Sequence, residues 1–195
     1  MTQRLMPVLA LLMLTACASS PPTHFYALDP VEAGAGPHDV AGAPVKIDAV
    51  HIPPALDRSS MVRGESGNQL DISSQDRWAG DLGEMIRRVL TQDLAERLPS
   101  GMVIAPESPA PPNARGIVVD ILTFQPQAAG DVVLDAEWTL LQGTQSNVVR
   151  RRFVHLTASA AASAQGEAGA MSTLLGELAD SLATNLGAAA HSAQP

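Results

Sequence analysis

The chain has 195 residues, with 20 Asp and Glu against 12 Lys and Arg, a formal net charge of −8, a single cysteine and 3% aromatic residues. An acidic balance of this size disfavours a nucleic-acid partner, and one cysteine excludes an internal disulfide framework. Much of the apolar content is alanine, so the core is expected to be Leu, Val and Ile with two Trp.

Met1 to Arg4 is positively charged, and Leu5 to Leu14 is apolar throughout, the pattern of a signal-peptide n-region and h-region. A permanent span needs roughly 20 apolar residues, and this run stops near half that length. It ends in Leu14-Thr15-Ala16-Cys17, which resembles the lipobox of bacterial lipoproteins, in which the cysteine thiol is alkylated by a diacylglycerol and the chain is cut before it. The expected division is a signal peptide over 1–16, a lipidated tether over 17–23, one domain over 24–190 and a disordered tail over 191–195. Two acyl chains already give stable anchoring. In the enterobacterial sorting rule that this motif resembles, Asp after the cysteine retains a protein at the inner membrane. Ala18 therefore favours the periplasmic face of the outer membrane. Removing sixteen residues leaves about 179, within the usual range for one domain.

Along the mature chain, Ala18 to Thr23 is a short tether reaching at most roughly 20 Å. His24 to Leu28 reads as a first strand, and Pro30 to Pro44, rich in Gly, Ala and Pro, as a loop. Val45 to Ile52 is a second strand with Val45, Ile47 and Ala49 on one face, stopped by Pro53-Pro54. Two short strands are expected around Met61 to Arg63 and Gln69 to Ile72. From about Gln75 to Leu98 the period becomes helical, with Trp78, Leu82, Met85, Ile86, Val89, Leu90, Leu94 and Leu98 at three- and four-residue spacings. Pro99-Ser100-Gly101 ends it, and Met102 to Ile104 can form a brief strand. Three strand-length segments follow, Gly116 to Gln125, Asp131 to Gln142 and Asn147 to Thr157, which read as an antiparallel meander. Val132, Leu134, Ala136, Trp138 and Leu140 share the apolar face of the middle segment. A turn centred on Thr144-Gln145 sets Leu140 opposite Val149, Ala136 opposite Phe153 and Glu137 opposite Arg152, with Arg151 near Trp138. Glu167 to Ala190 carries Met171, Leu174, Leu175, Leu178, Leu182 and Leu186 on a helical stripe. The expected fold is α+β, an antiparallel or mixed sheet with two amphipathic helices packed on one face.

Catalytic and metal-binding patterns are missing from the sequence. The histidines His24, His38, His51, His155 and His191 have no partners at zinc-ligand spacing. No serine stands in a GxSxG elbow, and Ser59-Ser60 and Ser73-Ser74 read as turn and helix-capping residues. Gly34-Ala35-Gly36 lacks the Lys-Ser/Thr of a phosphate loop. Arg150-Arg151-Arg152 is compatible with a headgroup patch, but alternation along a strand and a neutralising Glu137 favour a solvated face. Asp131, Asp135 and Glu137 have the spacing of a wet strand surface. No metal and no cofactor is expected, the lipid on Cys17 being the only attached group.

One segment is unusual, Val50-His51-Ile52-Pro53-Pro54-Ala55-Leu56-Asp57-Arg58-Ser59-Ser60-Met61-Val62-Arg63, in which a Pro-Pro pair, a Leu-Asp-Arg triplet and a hydrophobic pair connect two strands. Together with Phe25-Tyr26-Ala27-Leu28 and with Trp78-Ala79 followed by Leu82, it resembles the PqiC family, auxiliary lipoproteins of ABC-type and MCE-type transport systems. Gly80-Asp81 departs from the Glu- or Pro-containing pair associated with that family. The resemblance covers nearly the whole mature chain and implies a noncatalytic subunit that works with an MCE-domain protein in moving lipids or similar hydrophobic cargo between the two membranes, supporting envelope integrity. A homo-oligomer would suit a protein meeting a multimeric channel. Leu56, Asp57, Arg58 and Met61 are the candidate contacts for fold or partner: Arg58 can donate two hydrogen bonds to a neighbour, or Asp57 and Arg58 can pin the connector within their own domain. The readings of other classes are a structural outer-membrane lipoprotein that binds peptidoglycan or an assembly machine, and a lipoprotein hydrolase, for which the sequence offers no triad or metal cluster.

Overall fold

Alternating apolar residues build two sheets, and two helical stripes close over a shared core. The computed structural model describes residues 21–34, 37–38, 40, 42–65, 68–142 and 147–191. Cys17, most of the tether, the turn at Thr144-Gln145 and residues 192–195 therefore lie outside the described residues. The strands are β1 (His24–Tyr26), β2 (Val45–His51), β3 (Ser60–Gly64), β4 (Leu70–Trp78), β5 (Val103–Ile104), β6 (Arg115–Pro126), β7 (Asp131–Gln142) and β8 (Asn147–Ser159). Helix α1 (Leu82–Arg97) lies between β4 and β5, and α2 (Ala164–His191) follows β8. A three-stranded sheet has the order β1-β4-β3 and a five-stranded sheet the order β5-β2-β6-β7-β8. Because β2 runs parallel to both β5 and β6 while β6, β7 and β8 are antiparallel, the larger sheet is mixed. The α+β reading holds, with one addition: the strands divide between two sheets.

The period-2 pattern of β7 works as expected, since Val132, Leu134, Ala136, Trp138 and Leu140 are all buried. Ile117, Val119, Ile121 and Phe124 of β6 join them. A tight turn at Gln127–Gly130 links β6 to β7, and it needs a glycine because Gly130 has φ +94. Helix α1 buries Leu82, Met85, Ile86, Val89, Leu90 and Leu94, and α2 buries Met171, Leu174, Leu175, Leu178, Leu182 and Leu186. The helices pack on one another, α1 also against β2 and α2 against β8. Among the described residues no helix is long and apolar enough to cross a membrane.

Five sequence expectations are corrected. The helix starts at Leu82, capped by Asp81 Oδ1 accepting from Glu84 N at 2.9 Å. Gln75 to Trp78 belongs to β4, and Trp78 is buried there at a spacing that coincides with the helical stripe. Ser73 does not cap a helix: its hydroxyl accepts from Asp76 N (2.9 Å) and donates to Asp76 Oδ2 (3.0 Å) within β4. In β2 a bulge between Ile47 and Ala49 shifts the pairing, so Val50 rather than Ala49 packs against the core. Helix α2 extends to His191, one residue into the expected tail.

The fifth correction concerns β7 and β8. The expected register holds next to the turn, where Gln142 pairs Asn147 and Leu141 pairs Val148, and it breaks at a bulge that leaves Val149 unpaired. Beyond it every partner is displaced by one residue: Leu140 faces Arg150, Trp138 faces Arg152, Glu137 faces Phe153 and Ala136 faces Val154. A one-residue slip exchanges the faces of a strand. Val154, Leu156 and Ala158 accordingly pack on the core, whereas Val149 and Phe153 are exposed.

Helix α1 also carries a buried polar cluster. Asp93 is fully buried and accepts from Val31 N at 2.7 Å, while Arg97, also buried, donates to Asp180 Oδ1 (2.6 Å), Val31 O (3.1 Å) and Asp93 O (2.9 Å). These bonds strap the segment after β1 onto the helix pair. Burial pushes the Asp93 carboxyl up to about 6, against the lowering effects of the Val31 amide and the Arg97 charge. Its Oδ2 has no hydrogen-bond partner among the described residues. Since the folded value lies above the unfolded one, the folded state holds the proton longer, and this group's contribution is complete below about pH 4 and lost as pH rises through 6. Asp93→Asn should therefore match the native protein in urea unfolding near pH 4 and exceed it above pH 6, by an amount on the order of 3 kcal/mol at most.

Candidate partner-binding surface

The three segments that carry the family resemblance, far apart in sequence, meet at one place. Tyr26 of β1 pairs Trp78 of β4, and Ala79 N donates to Tyr26 O at 2.8 Å. Trp78 N donates to Ser59 O at 2.7 Å, which fixes the end of the connector between β2 and β3. Beneath these bonds Leu28, Leu56, Met61, Trp78 and Leu82 are buried in the same core.

The connector is a turn stabilised locally. Pro53 O accepts from Leu56 N (2.9 Å) and Asp57 N (3.2 Å), and Leu56 O accepts from Arg58 N (2.8 Å). Proline at the turn presets the backbone, and Leu56 plugs it into the core. Of the four candidate residues, Leu56 and Met61 thus point inward, while Asp57 and Arg58 are exposed. Neither exposed side chain has a hydrogen-bond or ion-pair partner among the described residues. The connector is held by its backbone and by Leu56, with no contribution from an Asp57–Arg58 pin.

Around this pair the surface is concave. Asp57, Arg58 and Ser59 line a depression of about 320 Å³ with Gly80, Asp81 and Leu82. Asp57 and Asp81 also border a neighbouring depression of about 290 Å³ that includes His51, Ile52 and Glu84. On the other side of Asp81, Met85, Arg87, Arg88 and Pro106 help to line a third, of about 430 Å³. Asp81, where the resemblance breaks down, is the residue that caps α1. Arg87 donates to Glu84 (2.6 Å) and Glu107 (2.8 Å), and the hydrogen bond to Glu84 raises its pKa. The three depressions carry the carboxylates of Asp57, Asp81, Glu84 and Glu107 and the guanidinium groups of Arg58, Arg87 and Arg88, of which Arg58 is unengaged among the described residues.

A second polar cluster was not legible in the sequence. Arg63 Nε donates to both Glu167 oxygens at 2.7 and 2.9 Å, and its guanidinium lies 3.5 Å from Asp76 and 3.7 Å from Asp71. The Glu167 bond raises the Arg63 pKa. With its cation and carboxylates mutually engaged, the cluster ties the small sheet to α2, beside a cavity of about 450 Å³. No spacing signals contact between residues 104 positions apart. Elsewhere His51 pairs Asp120 (2.7 Å), His155 pairs Asp135 (2.6 Å), Arg151 pairs Glu137 (3.3 Å) and Arg150 donates to Asn185 Oδ1 (3.1 Å). Glu137 thus engages Arg151 and not the expected Arg152. Among the described residues no three His, Cys, Asp or Glu side chains are arranged to hold a metal ion.

Two sheets and two helices around one core, with a connector-built surface outside, define an α+β module. The chain belongs to the family described as the ABC-type transport auxiliary lipoprotein component, whose model matches residues 26–183. That match bears out the PqiC-type resemblance. No curated protein matches. A crystal structure of an uncharacterized protein is similar at TM-score 0.66 and 21% identity, covering 86% of this chain and 98% of its own. A DUF330 protein from Xanthomonas campestris is similar at TM-score 0.66 and 14% identity, covering 84% and 95%. At these identities the likeness establishes the fold.

The division between plug and surface has a direct test in urea denaturation. Leu56→Ala should cost about 2–4 kcal/mol, whereas Asp57→Ala and Arg58→Ala should each stay within about 0.5 kcal/mol of the native protein.

Proposed function

We propose that this protein is a noncatalytic auxiliary subunit of an ABC- or MCE-type lipid transport system, lipidated at Cys17, held at the periplasmic face of the outer membrane, and docked through its connector onto an MCE-domain partner. It would serve the movement of lipid or similar hydrophobic cargo between the two membranes and so support envelope integrity. The family supplies the transport-accessory and lipoprotein class. The observation that carries the docking part is the free Asp57–Arg58 pair on a turn fixed by Pro53 and Leu56.

Holding the turn backbone fixed favours association, because little loop order remains to be imposed when the partner arrives. A guanidinium offers a planar fork of donors to a carboxylate or backbone carbonyls. The guanidinium gives up hydration when it docks, which its new hydrogen bonds must offset, and the nearby carboxylates of Asp57 and Asp81 select against acidic surfaces around the contact.

Affinity purification from crosslinked membranes, with mass spectrometry of the copurifying proteins, tests this. The native protein should recover an MCE-domain protein, Cys17→Ala should recover less, and Arg58→Glu should lose it while retaining native thermal stability. Recovery of cell-wall or assembly proteins only would replace this reading with a structural lipoprotein, and unchanged recovery with Arg58→Glu would move the partner surface elsewhere.

A further inference from the structure

The small sheet carries an apolar face beside the point where the tether enters the fold. The pairings Phe25↔Arg77, Ser60↔Arg77, Val62↔Ile72 and Gly64↔Leu70, with a register shift between Ser60 and Val62, place Phe25, Arg77, Ile72 and Leu70 on one face of β1 and β4; Val62 and Gly64 on the adjoining β3 are buried, so the open part of this face belongs to β1 and β4. The opposite face carries Tyr26, Trp78 and the Arg63 cluster and is turned to the interior. On the outer face Phe25 is 65% exposed, and Ile72 and Leu70 are each 45% exposed. Opposite Phe25, Arg77 has no ion-pair partner among the described residues, and its Nε is shielded from solvent without a hydrogen bond.

Cys17 precedes His24 by seven residues, a distance that an extended chain spans in at most roughly 25 Å. Strand β1 is therefore confined near whatever holds Cys17. An exposed aromatic ring, two aliphatic side chains and an unpaired guanidinium with an apolar stem are the groups that settle at the boundary between headgroups and acyl chains.

We propose that this face of the small sheet rests on the phospholipid surface in which the Cys17 lipids are embedded, with Phe25, Leu70 and Ile72 entering the interfacial layer and Arg77 meeting lipid phosphates. The proposal depends on the lipid-anchor reading above and adds an orientation to it. The connector then has a fixed attitude toward the membrane, because β1 and Ser59 both bond to the Trp78–Ala79 segment.

Cys17 is the sole cysteine, and lipidation consumes its thiol, so Phe25→Cys and Ile72→Cys each accept one environment-sensitive fluorophore. Phe153→Cys, at an exposed position on the edge strand of the other sheet, is the reference. The full-length lipidated proteins are reconstituted into vesicles of phosphatidylethanolamine and phosphatidylglycerol containing spin-labelled lipid, after thermal unfolding has shown each variant to be folded. Labels at 25 and 72 should shift to the blue and be quenched at least threefold more than the label at 153, and Arg77→Gln should reduce the difference. Equal quenching at all three sites overturns the proposal, as does protection of 25 and 72 that appears without vesicles and grows with protein concentration, which would assign the face to a second copy. Intact mass separates the two readings: acylated protein with unquenched labels overturns the surface alone, whereas protein without acyl chains overturns the anchor and the surface together.

Discussion

Two backbone hydrogen bonds from consecutive amides, Trp78 N to Ser59 O and Ala79 N to Tyr26 O, hold together the first strand, the connector and the end of β4. Trp78 is buried, so its amide must find a partner, and both amides find theirs in chain segments on either side of β4. The first fixes the connector that presents Asp57 and Arg58, and the second fixes the strand that leaves the tether. Three residues later Asp81 caps α1. The tether, the connector and the first helix are therefore referenced to one short stretch of backbone, with Leu28, Leu56, Met61 and Trp78 packed beneath it.

The strap between β1 and β2 follows a different principle. This Gly-, Ala- and Pro-rich segment has little apolar surface to bury, and polar bonds hold it: Val31 to Asp93 and Arg97, and His38 N to Arg97 O at 2.8 Å. A buried ionic cluster of this kind is costly to form. It also explains why a helix with a clean apolar stripe buries Asp93 and Arg97 at its C-terminal end.

Whatever depends on local period was legible in the sequence. Strand β7 alternates without interruption, and both helical stripes are where Leu and Met place them. Trp78 misleads because it precedes Leu82 by four residues, so the last residue of a strand joins the helical pattern in phase. The β2 and β8 bulges are invisible for a related reason: an extra residue changes the phase without changing composition, and Val149 and Phe153 look as fit for the core as Val154 and Leu156. The Leu-Asp-Arg connector could be singled out from its composition, but only the structure separates Leu56 and Met61, which are plugs, from Asp57 and Arg58, which are free. The Arg63–Glu167 and Arg97–Asp180 pairs join residues too distant in sequence for any pattern to reveal.

The bulge at Val149 has a consequence for how the molecule coexists with its own kind. Strand β8 is thirteen residues long and forms the border of the larger sheet, a template onto which another extended chain could add. Its first half is guarded. The bulge interrupts the even row of amides and carbonyls and twists the strand locally, and Arg150, Arg151 and Arg152 follow it directly, so that an identical strand laid alongside in register would bring like charges together. Arg150 is further committed to Asn185 of α2. The basic run on an acidic protein thereby acts as a guard against edge-to-edge aggregation at the high local concentrations that a membrane-tethered protein reaches on a two-dimensional surface.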